Sequence, residues 1–497
     1  MNRIFLATAF TLLYFSSFAQ TAAKKTTQGS TGEQSGYYIQ TTLTPYKNCW
    51  IYLASYYGKN KVLVDSAYMN ANSQCVFKGK TKLAQGIYIY VSPSRTQLFD
   101  ILMDREQHFS VVADSANPSN LSINGSPENT LFIDYTRYLA GIAPKMDERQ
   151  VKLKNPNLTK EASDSLQAQL AALNAQLTTY RENIIKTHPQ SMLAMLFNAM
   201  KMPEMPKMPK LANGKLDSTY PGRYVKEHYW DNMAFNDERL LRTPIFDPKL
   251  ENYFKYYVSP DPDSIIAEVN YMLLYSRTAK DMHQYLLGRF TDKYINPEIM
   301  GQDKVFIFLF NNYFSKGDTL WLNTTQKKYI FDRAYSLITN QIGEVAPPLD
   351  LVDTSGKPVS LYEVKAPFTF VLFWDPTCSH CKEQVPEVDS IYIAKWKAEG
   401  VAVFAVNVNE ATMNDWKSFI TDHHLNGWRH AYQTKEDHES ETKEGKANFR
   451  QLYDVFQTPT MYLLDMNKHI IAKRLSLLQF DGLIDAKIKQ QASSSTR

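Results

Sequence analysis

Between Tyr37 and Ala113, short apolar runs alternate with polar positions and turn residues. The segments 49–54, 61–67, 75–78, 87–91, 97–103 and 109–112 have the composition and period of half-buried strands. Gly58, Asn60, Asn70, Asn72 and Asp104 separate them as turn formers. Many short strands at this spacing predict an antiparallel β-sandwich over residues 36–125.

The pattern changes at Ser126, which followed by Pro127 and Glu128 reads as a helix N-cap with proline in the first turn. Over 159–187, Leu166, Leu170, Leu173, Leu177, Tyr180 and Ile184 recur at intervals of four and three, one apolar stripe on a helix that Pro189 ends. Further helical stretches are expected over 262–294 and 325–341, giving a mainly α-helical domain over 126–342.

From Gly343 strands and helices alternate. Residues 368–374 form a continuous apolar run, the mark of a buried strand. A helix is expected over 378–399, with Val385, Val388, Tyr392 and Trp396 on one face, a kink at Pro386 and a stop at Gly400. A second strand over 401–408, a helix over 412–423, a hairpin around Asn467 and a last helix over 480–490 complete an α/β domain over 343–490, with a frayed tail over 491–497. Strand, helix, strand, then hairpin and helix is the thioredoxin order.

A chain of 497 residues is long enough for two to four domains. A net charge of +4 with no basic run gives no reason to expect nucleic acid. Arg3, the apolar run 4–15 and Ser17-Phe18-Ala19 read as a signal peptide over 1–19, followed by a polar, flexible lead-in over 20–35. The residue after the cleavage point is Gln20, not the Cys of a bacterial lipid anchor, and no later segment is long and apolar enough to span a bilayer, so an exported protein with no transmembrane anchor is expected.

Cysteine occurs four times, at 49, 75, 378 and 381. Cys378-Ser379-His380-Cys381 is a C-x-x-C at the start of the predicted helix. There the free N–H groups and the helix dipole favour a thiolate on Cys378, while Cys381, one turn on, can resolve a mixed disulfide. An unperturbed thiol with a pKa near ~8.5 is about 3% thiolate at neutral pH, and one lowered to ~6 is about 90%. His380, when protonated, would add positive charge beside Cys378.

Zinc has no second Cys pair to complete its shell. Pro376-Thr377 precedes Cys378 but does not match the peroxiredoxin spacing Pro-x-x-x-Thr-x-x-Cys. Cys49 and Cys75 lie at core-facing strand positions, as plain thiols or as a structural disulfide. Met200, Met202, Met205 and Met208 alternate with prolines; thioethers suit Cu(I), but a stiffened loop whose methionines pack on a neighbour is the favoured reading. His423, His424 and His430 are expected to be solvated residues at a helix end. No metal site is expected.

Phe373-Trp374-Asp375-Pro376-Thr377-Cys378-Ser379-His380-Cys381-Lys382, Pro386 five residues after the second Cys, and Thr458-Pro459-Thr460 resemble the active-site segment, helix kink and cis-proline loop of thioredoxin-like proteins. The run 343–361, with Ala346-Pro347-Pro348, resembles the lead-in strands of the exported TlpA/ResA-like branch. Val64-Asp65-Ser66-Ala67 and Tyr229-Trp230-Asp231-Asn232 resemble β and helical domains of unknown function that precede such domains. The resemblance departs at three positions. Leu372 stands where thioredoxin has a buried acid, Gln384 where this branch often has Glu, and Glu383 is displaced by one residue, about 100° around the helix.

The reading is an exported thiol–disulfide oxidoreductase in the periplasm of a Gram-negative bacterium, acting as reductase or isomerase. Cys378 attacks, Cys381 resolves and His380 tunes, with Trp374, Thr458 and Pro459 at the substrate. Leu372, Gln384 and Glu383 adjust the site. No bound cofactor is required; the partners are envelope proteins with cysteines and an unidentified thiol electron donor. The rival reading is an envelope binding or scaffold protein with an accessory thioredoxin-like domain.

Overall fold

The computed structural model describes residues 36–117 and 120–494. The predicted signal peptide, the lead-in and the end of the tail at 495–497 lie outside them. The final helix, Leu477–Ser494, runs further than the pattern suggested and takes in the start of the expected tail.

The described residues begin with eight strands: β1 (Tyr37–Thr44), β2 (Cys49–Tyr57), β3 (Asn60–Met69), β4 (Gln74–Gly79), β5 (Gly86–Val91), β6 (Gln97–Met103), β7 (His108–Asp114) and β8 (Ser122–Asn124). They form two four-stranded sheets, ordered β4-β1-β7-β8 and β3-β2-β5-β6. Ile39, Leu43, Phe77 and Val111 of the first meet Ile51, Leu53, Tyr90 and Ile101 of the second in one core. The sandwich is not wholly antiparallel, because β1 and β7 pair in parallel. The chain between them passes through the opposite sheet, so it can return in either direction, and a period of two is the same for both.

Helices Pro127–Leu153 and Lys160–Thr187 follow, and the side chains of Ser126 and Thr159 accept the amide hydrogens of Asn129 and Ala162 at their N-termini. Leu177 and Ile184 of the predicted stripe are buried beside Tyr135. The stretch expected as one helix over 262–294 is two, Pro262–Tyr275 and Lys280–Tyr294. The helices Met192–Met200, Tyr220–His228, Phe246–Tyr256 and Asp303–Asn312 are too short to have shown a stripe. Met202, Met205 and Met208 are exposed, which corrects the expectation that they pack on a neighbour. The sandwich docks on this layer through Gly58, whose N–H donates to the Leu241 carbonyl at 2.8 Å, and through Asn129, whose amide bonds both backbone groups of Leu102 on β6.

The last region is a seven-stranded mixed sheet, built from β9 (Asp350–Val352), β10 (Pro358–Ser360), β11 (Phe368–Trp374), β12 (Val401–Asn407), β13 (Arg429–Tyr432), β14 (Thr460–Asp465) and β15 (Ile470–Lys473). Its order is β10-β9-β13-β12-β11-β14-β15. Every residue of β11 is buried, because apolar layers cover both faces of the sheet. On one side Phe370, Leu372, Val385, Trp396 and Phe480 pack together; on the other, Val371, Phe373, Phe404 and Tyr453. The helix after β11 is α-helical over Ser379–Ile391 and widens into a π-turn over Tyr392–Trp396.

A buried polar seam joins this domain to the helices. Lys473 Nζ donates to Asp303 Oδ2 at 2.5 Å and to the Asn340 carbonyl at 2.7 Å. Arg333 and Arg474 both pair with Asp454.

Candidate functional site

Strand β11 delivers the chain to the site and a compact turn then lifts Cys378. The Asp375 carboxylate accepts from the Thr377 N–H at 2.8 Å and its hydroxyl at 2.7 Å, and from the Asn409 amide at 2.9 Å. These bonds hold the Asp375 carboxyl below the usual carboxylate range despite partial burial, with Arg450 adding its positive charge. The Cys378 N–H donates to the Asp375 carbonyl at 3.1 Å. Cys378 is thereby the N-cap of helix Ser379–Ile391, in extended backbone, half-buried with its sulfur at the helix N-terminus.

The two thiols occupy opposite environments. Cys381 has no exposed surface and packs with Leu372, Trp374 and Val385. Burial pushes its thiol up to about 12, against hydrogen bonding from the Asp375 amide. Desolvation also works on Cys378, but it is outweighed by hydrogen bonding from Thr458, from the Cys381 amide and thiol, and from the His380 amide. The Cys378 thiol accordingly titrates below its ordinary value. Its hydrogen points to the Thr458 carbonyl, 3.4 Å from Sγ. The Thr458–Pro459 peptide bond is cis, and both residues are half-buried beside the pair.

Several predicted residues take other positions. Trp374 is 0% exposed and stacks edge-on against Phe419, so it is a floor beneath the thiols and cannot touch a substrate. The His380 side chain is exposed, and what it turns toward Cys378 is its backbone N–H. Leu372 is fully buried on β11, Glu383 is exposed and Gln384 half-buried. Among the described residues, no carboxylate figures among the groups acting most on Cys381. His430 is not solvated: it lies on β13, stacked on Trp428, with Nε2 2.8 Å from the Leu425 carbonyl, and burial holds it below the usual imidazole value. Four residues could not keep it at a helix end once β13 joined the sheet. Cys75 is buried, Cys49 half-buried, and both are thiols. Asp375 and Asn409 were not anticipated; the Asp-x-Thr spacing, which favours an Asx turn, was the available signal.

A C-x-x-C at a helix start, above the middle of a mixed sheet and facing a cis-proline loop, is the arrangement of a thioredoxin fold. Residues 342–473 match the AhpC/TSA family model. Residues 37–132 and 157–339 match models described as domains of unknown function, DUF4369 and DUF5106. Over 80 residues the chain is 38% identical to the thiol-disulfide oxidoreductase ResA of Bacillus subtilis, covering 16% of this chain and 44% of that protein. It is 23% identical over 158 residues to ResA of Oceanobacillus iheyensis, covering 30% of this chain and 75% of that one. Among solved structures, a domain of a possible thiol-disulfide isomerase from Cytophaga hutchinsonii is 31% identical, with 31% of this chain and 97% of that one covered and a TM-score of 0.27.

Proposed function

We propose that the protein is a thiol–disulfide oxidoreductase that reduces or isomerises disulfides in envelope proteins through Cys378 and Cys381. The observation that carries this reading is the asymmetry of the pair: an accessible thiol lowered at a helix N-terminus, above an enclosed one raised by burial.

The Cys378 thiolate attacks one sulfur of a substrate disulfide. That S–S bond breaks, a mixed disulfide forms on Cys378, and the substrate's other sulfur leaves as a thiolate. Cys381 then transfers its proton to that departing thiolate and attacks Sγ of Cys378, releasing the substrate's second thiolate, which takes a proton from water. The substrate gains two electrons and two protons, and Cys378 and Cys381 become a disulfide. A thiol donor then restores the dithiol. Among the described residues no carboxylate is among the groups acting most on Cys381, which leaves the departing thiolate to take its proton. The high pKa of Cys381 keeps it protonated until that base arrives.

Reduction of insulin by dithiothreitol tests the activity. Acceleration that disappears in Cys378→Ser is expected; no rate above background in the intact chain would favour a scaffold role instead. The signal-peptide pattern over 1–19 supports a periplasmic location for this activity, with a mature chain that begins at Gln20. A mature N-terminus at Met1 would overturn that placement.

A further inference from the structure

The exchange reading leaves Phe456 and Arg333 unexplained. Phe456 is 74% exposed and lies two residues before Thr458, whose carbonyl faces Cys378. Two residues span at most ~7 Å, so Phe456 stands at the rim of the site. A large aromatic ring left in solvent there is a ready contact for an incoming chain.

The loop that presents it is held from below by the helical domain. Asp454 is 4% exposed and adopts φ 53, a left-handed conformation that costs a non-glycine residue energy and must be held by its surroundings. Arg333, 6% exposed on helix Thr324–Ile338, grips Asp454 from one side, and Arg474 from the other. Arg333 also donates to Asn296 Oδ1 at 3.0 Å and lies 5.7 Å from the Phe456 ring centroid. The neighbouring carbonyl of Leu452 accepts from Thr339 and Asn340, each at 2.9 Å. The helical domain thus fixes the chain on both sides of Tyr453, where the turn that leads into Thr458 begins.

We propose that Arg333 is a positioning residue for substrate recognition. Acting through Asp454, it holds loop 454–459 so that Phe456 contacts an apolar side chain next to the substrate's cysteine, while the backbone of Thr458 meets the substrate strand. The substrate class is then a protein segment with an aromatic or aliphatic residue flanking its disulfide. This rests on the exchange reading above. Cys378 itself draws its thiolate from Thr458 and from amides of its own helix, so its intrinsic chemistry does not require Phe456.

The test uses the full chain and two disulfides: oxidised glutathione, and a peptide disulfide with phenylalanine beside its cysteine. Phe456→Ser changes an exposed ring and leaves the fold intact. The double variant Arg333→Met with Asp454→Asn removes both charges of the pair together, so neither is left buried alone. In both, KM for the peptide should rise about tenfold, the equivalent of ~1.4 kcal/mol, and in Phe456→Ser, which leaves Thr458 in place, turnover of glutathione should change less than twofold. Restoring Phe456 as Leu should recover most of the affinity. An unchanged peptide KM in Phe456→Ser overturns the proposal. A double variant whose KM for the peptide does not rise, whatever its turnover, overturns the positioning role of Arg333 and leaves it purely structural. A wild-type chain inactive on both would instead sink the exchange reading.

Discussion

At the scale of single residues, the Cys378 thiolate rests on hydrogen bonds from Thr458, from Cys381 and from the His380 amide more than on a neighbouring charge. Sequence logic gave the tuning to the His380 imidazole, because a basic residue between the cysteines is visible in one dimension. The structure exposes that ring to solvent, where salt and water screen its charge, and turns its N–H to the sulfur. His380→Ala keeps the N–H and should alter the redox potential little. His380→Pro removes it at a helix position that tolerates proline, and should lower the potential by roughly 30 mV for each unit that the Cys378 pKa rises. Equal effects of the two variants, read by equilibration in glutathione buffers, would return the role to the imidazole. The pH dependence has a definite sign. Cys378 titrates below the ordinary thiol value, so its alkylation by iodoacetamide should hold up at neutral pH and fall as pH drops through that lowered pKa. Cys381, raised to about 12, should add no second inflection near neutrality. An inflection at or above the free-thiol value of ~8.5 would contradict the account.

Among elements, legibility followed length and periodicity. Strand β11 and the helix Lys160–Thr187 could be read because a seven-residue apolar run and a stripe of six residues each satisfy one geometry. Strand β13 could not, since Arg429–Tyr432 fully buries Ala431 alone and gains its place from pairing with β12. The parallel pairing of β1 with β7 was equally hidden, because strand direction leaves no mark on the polar pattern. Cys378 and Cys381 were legible from spacing, whereas Asp454 and Arg333 were not: 121 residues separate them and only the fold brings them together. Gly58 shows how a turn can be read without its purpose. It adopts φ +58 at the β2–β3 hairpin, and a Cβ there would lie 2.0 Å from the Tyr285 ring. Gly58→Ala should therefore cost about 1–3 kcal/mol, through left-handed strain and loss of docking on the helices. Urea unfolding would measure it, and an unchanged midpoint would show that the sandwich is not seated on Tyr285.

For the whole molecule, the thioredoxin-fold domain is not a detachable cap. The Lys473–Asp303 bond crosses from its edge strand into the helical domain with both partners buried. Burial lowers the pKa of Lys473, so its charge is tolerable there because Asp303 and Asn340 surround it. Lys473→Met takes the ammonium away from buried Asp303, leaving it the Gln341 hydrogen bond, and should cost about 3–5 kcal/mol, whereas adding Asp303→Leu should recover part of the loss. Calorimetry should show the helical and C-terminal domains melting together in the wild type and separately in Lys473→Met; separate transitions in both would mean the seam does not couple them. Beside this seam, Arg333 of the helical domain also holds Asp454 in the loop facing Cys378. The most direct test of the central claim is a redox titration of the intact chain across glutathione buffers, reading the Cys378–Cys381 bond by peptide mass. The account predicts one reversible two-electron transition, at a potential above thioredoxin's value of about −270 mV and below DsbA's of about −120 mV. A chain in which Cys378 and Cys381 never join, at any poise, would contradict it.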